Sequence, residues 1–178
     1  GTALCAHEVG RRLLLPGNGM NISLLTVGSL KERYWREAVA EYEKRLSAHC
    51  KFRLIEIKDE KTPELLDSAA AERVRKREGE RLLEKIDARA LVVTLEIQGK
   101  KFDSEGFAAE MAKLEERSRG ELCFVIGGSL GLSKEVSARA ALHLSFSDFT
   151  FPHQLMRVLF LEQLYRSYRI RTGAPYHK

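Results

Sequence analysis

The stretch with the clearest chemical promise is LCFVIGGSLGLS, residues 122–133. Its apolar run from Leu122 to Ile126 reads as a fully buried strand, and Gly127, Gly128 and Gly131 read as backbone brought close to a neighbour. A strand, a glycine turn and a capping Ser133 make a ligand edge of the kind found in α/β proteins, although many such turns are only turns. The spacing disfavours the familiar phosphate loops. It is G-G-x-x-G instead of G-x-G-x-x-G, it follows the fourth candidate strand, and Leu132 stands where a Walker A loop needs lysine. Ser129 lies in no G-x-S-x-G elbow and has no recognisable base partner, which disfavours serine hydrolysis.

A second group lies near the C-terminus. Beyond Glu162 there is no acidic residue, whereas Arg166, Arg169, Arg171 and Lys178 accompany Tyr165, Tyr168 and Tyr176. Basic groups among aromatic rings neutralise phosphates and stack on bases, though a solvated tail has the same composition. His153 and Arg157 form an i,i+4 pair, while Arg166 projects to a different side of the same helix. Each has a plainer reading: His153 as a helix cap, Arg157 and Arg166 as salt-bridge partners, with Glu162 placed i,i+4 from Arg166. Tyr165 and Tyr168 fit an interface core. Tyr176 and His177, at the end of a tail without apolar support, point to substrate contact.

These groups need elements to hold them. Residues 21–27 read as the first strand, and Tyr34, Trp35, Ala38, Val39, Tyr42 and Leu46 as the apolar stripe of a helix over residues 32–46. Residues 52–57 alternate as a strand near a sheet edge. Residues 64–86 form a charged helix whose arginines make either a solvated face or an RNA-facing patch. Residues 90–95 are a buried strand, followed by a glycine-containing loop over residues 96–101. Asp103 or Ser104 caps a helix that buries Phe107, Ala108, Met111 and Leu114. After the opening strand and its turn come a short helix to residue 140, a fifth strand over residues 142–146, and a last helix from Pro152 or His153. That helix is apolar nearly all round, so it must be covered on two sides, the second being another subunit. Alternating strands and helices predict an α/β fold, a mostly parallel sheet with helices on both faces. Three loops, residues 95–99, 127–131 and 146–151, then meet at its carboxyl edge. Backbone groups and apolar side chains there suit a flat adenine with a compact polar tail, a nucleoside-type cofactor.

The 178 residues fit one domain with a full core, and 44% hydrophobic against 31% charged residues is ordinary for a globular protein. A net charge of +5 permits a nucleic-acid partner without requiring one. Cys5, Cys50 and Cys123 form no C-x-x-C pair, which points to a reduced, cytoplasmic protein. His7, His49, His143, His153 and His177 show no metal-ligand spacing, so no metal is expected. Residues 1–19 contain no signal peptide, no stretch is long enough to span a membrane, and Met20 reads as the natural start after an extension or expression-derived segment.

VTLEIQGK from Val93, FVIGGSLGLS from Phe124, FTFPHQLMRVLFLEQLYRSYRI from Phe149 and PYHK from Pro175 together resemble the RlmH family. These are SPOUT-class methyltransferases acting on N3 of a pseudouridine in large-subunit (23S) ribosomal RNA. The resemblance covers residues 20–178. It implies a C-terminal trefoil knot, a rare exception to unknotted topology, with S-adenosylmethionine bound in the knot and a homodimer through the last helix. Carried over by motif, the cofactor site falls on Leu95, Gly127 and Gly128 and on the loop of Phe146, Ser147, Asp148, Phe149, Thr150 and Phe151. The RNA-side catalytic candidates are His153, Arg157, Arg166, Tyr176 and His177. Ser129-Leu130 departs from the more common proline or alanine followed by an acidic or polar residue, and Asp148 matches no motif and inherits no role of its own.

The implied reaction is an in-line displacement at an imide nitrogen, a poor nucleophile while protonated. Arginine charge favours its anion, and His153 or His177 is a candidate proton acceptor. His153 and Arg166 serve one site only if it is shared across the dimer. The substrate is expected to be ribosomal RNA within the assembled ribosome. The rivals are a SPOUT enzyme with a tRNA or other rRNA target and a non-catalytic RNA-binding α/β module.

Overall fold

The computed structural model describes residues 19–175. Five strands, β1 (Asn21–Val27), β2 (Lys51–Ile57), β3 (Leu91–Lys101), β4 (Glu121–Ile126) and β5 (Leu142–Ser145), form one sheet in the order β2-β1-β4-β3-β5. All four pairings are parallel. The helices are α1 (Arg33–Leu46), α2 (Ser68–Lys85), α3 (Ser104–Arg117), α4 (Lys134–Arg139) and α5 (His153–Arg171).

Side-chain alternation sorts the core into two layers. Leu24, Phe124 and Val93, in register across β1, β4 and β3, face Val39, Met111, Phe160 and Leu164 of α1, α3 and α5. Leu25, Val125 and Val92 face the other way, towards Leu82 of α2 and Val136 of α4. The central strands thus present buried apolar residues to both layers, whereas β2, at the edge, is half-buried and alternates with charge.

Helix starts follow their caps. Asp103 accepts from Gly106 N at 2.6 Å and Ser133 from Val136 N at 3.3 Å. The charged helix expected from residue 64 begins at Ser68, because the Asp67 carboxylate accepts from Ala70 N at 2.7 Å and ends the extended approach there. Leu65 ahead of it is exposed.

Two further expectations are corrected. Residues 96–101 are not a loop: β3 continues through them, pairing Leu95 with Leu144 and then, after a register shift, Lys100 with Leu144 and Lys101 with Ser145. A Cβ at Gly99 would lie 2.7 Å from His143 O, so only glycine lets the two backbones approach this closely. The EIQGKK composition hid a strand because its side chains have little to cover them. The second concerns α5, much of whose apolar surface is covered within the chain: it packs on the sheet between α1 and α3, while Leu155, Met156, Val158 and Leu159 stay half-buried. Phe160 meets Phe124 at a centroid distance of 4.6 Å, Tyr165 meets Tyr42 at 6.5 Å, and Tyr168 stacks on His49 at 5.0 Å. A covering subunit is therefore not required by burial alone. The fifth strand also stops at Ser145, one residue short, leaving Phe146 to the loop that follows.

The tight approach at Gly99 generates a test. Gly99→Ala should destabilise the fold by about 1–3 kcal/mol through overpacking. A lowered urea midpoint with an unchanged slope would report it; an unchanged midpoint would show that β5 shifts freely.

Candidate active site

The carboxyl edge of the sheet gathers the candidate residues. Beyond β4 the chain folds back on itself: Gly131 N donates to Gly128 O at 3.0 Å, and Gly131 adopts a φ of 83° that disfavours any side chain. A Cβ at Gly127 would sit 2.8 Å from Gly131 C, so the loop closes only on glycine. Leu95 pairs with Ile126, the residue before Gly127, and with Leu144, two before Phe146. Register alone therefore brings Leu95, the glycine loop and the residues after β5 together.

The segment from Phe146 to Phe151 is shaped locally. Ser145 Oγ donates to Ser147 O at 3.2 Å, and Ser147 Oγ accepts from Phe149 N at 3.0 Å. Asp148 pairs with Lys101 at the end of β3. Phe149 and Thr150 are exposed. Phe146 and Phe151 line a cleft of about 600 Å³ whose apolar walls include Phe107, Leu144 and Leu159. Gln163 and Ser104 border it and hydrogen-bond each other at 2.9 Å. Leu95, Gly127 and Gly128 adjoin this cleft through the sheet register but do not line it.

At the start of α5, His153 lies against the end of β1, its Cε1 3.9 Å from where Gly28 would carry a Cβ. Burial, then the charge of Arg157, pulls its pKa below the usual imidazole value against an opposing contribution from Asp59. Arg157 is fully buried. It donates to Glu56 Oε2 at 2.6 Å, to Val27 O at 3.0 Å and to Gly28 O at 2.9 Å, so its guanidinium fastens α5 to the ends of β1 and β2. Its Nε and His153 Nδ1 are buried polar atoms without a hydrogen-bond partner, the kind of pair that can meet a ligand.

The structure does not bring every candidate together. Arg166 lies about 20 Å further along α5, by helical rise, and pairs with Glu162 at 2.7 Å, as its i,i+4 spacing allowed. Tyr176 and His177 lie outside the described residues, as do residues 1–18. Among the described residues there is no cluster of three His, Cys, Asp or Glu suited to a metal, and no helix is long and apolar enough to cross a membrane.

Two polar features escaped the sequence reading. Glu78 is 5% exposed, with its carboxylate against Gly128; the available signal was its place on the apolar stripe of Val74 and Leu82. Glu96, next to Leu95, accepts from Thr94 Oγ1 at 2.6 Å and from Ser137 Oγ at 3.2 Å and contacts His143 Nδ1 at 2.6 Å, joining β3, β5 and α4.

A buried basic edge around a glycine loop and an aromatic cleft is what a group-transfer enzyme with a nucleoside cofactor requires. Residues 20–177 match the family described as "Predicted SPOUT methyltransferase", and the chain belongs to that family. Over 159 residues it is 54% identical to ribosomal RNA large subunit methyltransferase H of Pediococcus pentosaceus, covering 89% of this chain and 100% of that relative. Among solved structures it resembles the methyltransferase Lpg2936 of Legionella pneumophila, determined with bound SAM. The TM-score is 0.45 at 11% identity, over 84% of this chain and 67% of that one, too loose a likeness to bear on function.

Arg157→Ala should cost about 3 kcal/mol in chemical denaturation, less than stranding a fully buried ion because Glu56 keeps part of its side chain in water. Arg157→Lys should recover little of this, since an ammonium lacks the fork that spans Glu56 and two carbonyls. Stability should also depend on acid. His153 and His49 both have folded pKa values below the unfolded one, so protonation favours the unfolded chain. Their contribution is complete above about pH 6.5 and is lost as pH falls below it. The urea midpoint should drop across that range, and His153→Asn should flatten the drop.

Proposed function

We propose that this protein transfers a methyl group from S-adenosylmethionine to N3 of a pseudouridine in large-subunit ribosomal RNA, acting on the assembled ribosome in the cytoplasm. The observation that carries this reading is the 54% identity with a ribosomal RNA large subunit methyltransferase over that relative's whole length. It is joined to a carboxyl edge built of the matching motifs. The catalytic unit is a single domain over residues 20–178, with residues 1–19 as an extension, in keeping with the span of the family match.

The site's residues suit the cofactor. Phe107, Leu144, Phe146, Phe151 and Leu159 offer an apolar wall for a purine, Ser145 and Gln163 offer polar atoms, and about 600 Å³ is ample for a nucleoside. Bound S-adenosylmethionine supplies an electrophilic methyl on a sulfonium. The residues from Phe146 to Phe151 would hold it beside Leu95, Gly127 and Gly128, and the chain's other groups prepare the acceptor. Arg157 keeps His153 and the end of β1 in place and adds positive charge near an imide that must lose its proton. His153, Arg166, Tyr176 and His177 are the substrate-facing groups. Arg166 reaches the site of His153 only across a two-fold contact, so the proposal includes a homodimer through α5, along which Leu155, Met156, Val158 and Leu159 remain half-buried and apolar. The trefoil knot belongs to the same reading.

Mass-spectrometric mapping of RNA from cells with and without the protein tests it. A methyl on N3 of one large-subunit pseudouridine should depend on the protein, and ribosomes lacking it should accept the methyl in vitro. S-adenosylmethionine should raise the melting temperature, since a ligand selective for the native state stabilises it. A protein-dependent methyl on tRNA alone, or no melting shift at saturating ligand, would overturn the reading.

A further inference from the structure

The glycine loop has a neighbour to which the methyl-transfer reading gives no part. Glu78 lies on the apolar stripe of α2 and is 5% exposed. Its Oε2 accepts from Glu60 N at 3.1 Å. No hydrogen bond to its Oε1 is found among the described residues, and a Cβ on Gly128 would lie 3.1 Å from Oε1, 3.3 Å from Oε2 and 3.2 Å from Val27 Cγ1. Two arginines on the same helix stand nearby, yet both donate to Glu60, Arg77 at 3.1 Å and Arg81 at 2.5 Å. A carboxylate this buried ordinarily has a cation or a full set of donors, because an unpaired charge out of water is costly. Glu78 has one backbone amide and an open oxygen aimed at the loop. That oxygen is placed to accept from a donor that arrives with a ligand.

The sheet order decides which ligand. β4 separates β1 from β3 and β5, so the glycine loop has two flanks. The aromatic cleft of Phe146 and Phe151 lies on the β5 flank. Glu78 meets Gly128 beside Val27 at the end of β1, one residue before the Gly28 against which His153 lies. It therefore stands where the loop beside the cofactor meets the β1 flank that carries His153, outside the aromatic cleft. The donor an acceptor base must bring, and must lose, is its N3–H.

We propose that Glu78 Oε1 is the proton acceptor of the methyl transfer, an assignment that rests on the functional reading above. The N3–H bond breaks and its proton passes to Oε1. The N3 electron pair forms the bond to the methyl carbon, and the carbon–sulfur bond breaks with its pair left on sulfur. The sulfonium charge and the carboxylate charge disappear together, leaving a thioether, a neutral Glu78 that later returns its proton to water, and a methylated base. Such a step gains from a dry site, where opposite charges attract strongly. The charged groups facing Glu78 are Asp59 and Glu60 from the segment after β2 and Arg81 on α2, while β1 and the loop present only Val27 and Gly128. Burial raises the carboxyl above its usual range, and Asp59 adds to the rise, making it a stronger base than an exposed glutamate.

The test is Glu78→Gln, which keeps shape and removes the base. Methylation of ribosomes should fall in kcat by about a hundredfold or more, with the KM for ribosomes and the calorimetric affinity for S-adenosylmethionine little changed. Independently of activity, the variant should melt at or above the parent temperature at neutral pH. A carboxylate with a raised folded pKa loses stability as pH rises through that pKa, and the amide escapes this loss. A kcat within about threefold of the parent would overturn the assignment, as would a loss of cofactor affinity matching the loss of rate. So would a melting temperature lowered by more than about 5 °C, the mark of a structural role. If the variant does not fold, the ascending limb of the parent's kcat–pH profile decides: it should persist in His153→Ala, and its disappearance there would give the base to His153. A parent protein that binds S-adenosylmethionine but methylates no pseudouridine would instead remove the functional reading, and this assignment with it.

Discussion

The guanidinium of Arg157 is the contact on which the carboxyl edge depends. It is the largest side chain among those fully buried, and it holds Glu56 of β2 together with two carbonyls at the end of β1. Glu56 in turn accepts from Leu30 N at 3.1 Å, which fixes the chain between β1 and α1. One cation thereby joins two strand ends, a connecting segment and the second turn of α5. A neutral side chain of equal volume would leave those carbonyls unsatisfied, and a shorter cation would serve only some of them. The position of His153, one turn earlier on the same helix, follows from this clamp.

Around the clamp the parallel sheet does two different tasks. Its centre, β1, β4 and β3, is apolar on both faces and supplies rigidity. Its carboxyl edge is where the strands stop at slightly different heights and loops meet. The double pairing of β3 with β5 carries the chain past the point where it would otherwise have left the sheet, and Lys101 at its end holds Asp148 in the loop that follows β5. Asp148, which no motif explained, is thus a partner of β3. At the Ser129-Leu130 departure the backbone carbonyl of Leu130 accepts from Arg75 at 3.4 Å, tying the glycine loop to α2.

Most of the fold was legible because buried parallel strands and capped amphipathic helices carry strong local patterns. Phe107, Ala108, Met111 and Leu114 are all buried as their spacing required, and Asp103 and Ser133 cap as read. Residues 96–101 were not legible, since a strand segment with exposed side chains shows none of the apolar alternation by which strands are recognised, and its partner lies more than forty residues away. The cover of α5 by α1 and α3 was equally invisible, because helical periodicity counts apolar faces without saying what meets them. At the site, the glycine loop and His153 announced themselves by residue type. Glu78 did not: among so many charges on α2, only the three-dimensional packing distinguishes the one carboxylate that turns inward.

The strand order also sets a timetable for the growing chain. β1 emerges early and pairs with β2 soon after, but its other neighbour is β4, and Asn21 meets Glu121 across a separation of 100 residues. At about 5–20 residues per second, that neighbour follows about 5–20 s later. Through that interval Ile22, Leu24, Leu25 and Val27 stand beside an unpaired row of backbone amides and carbonyls, the situation in which nascent chains associate wrongly. A strand interior to the finished sheet is, for those seconds, its edge.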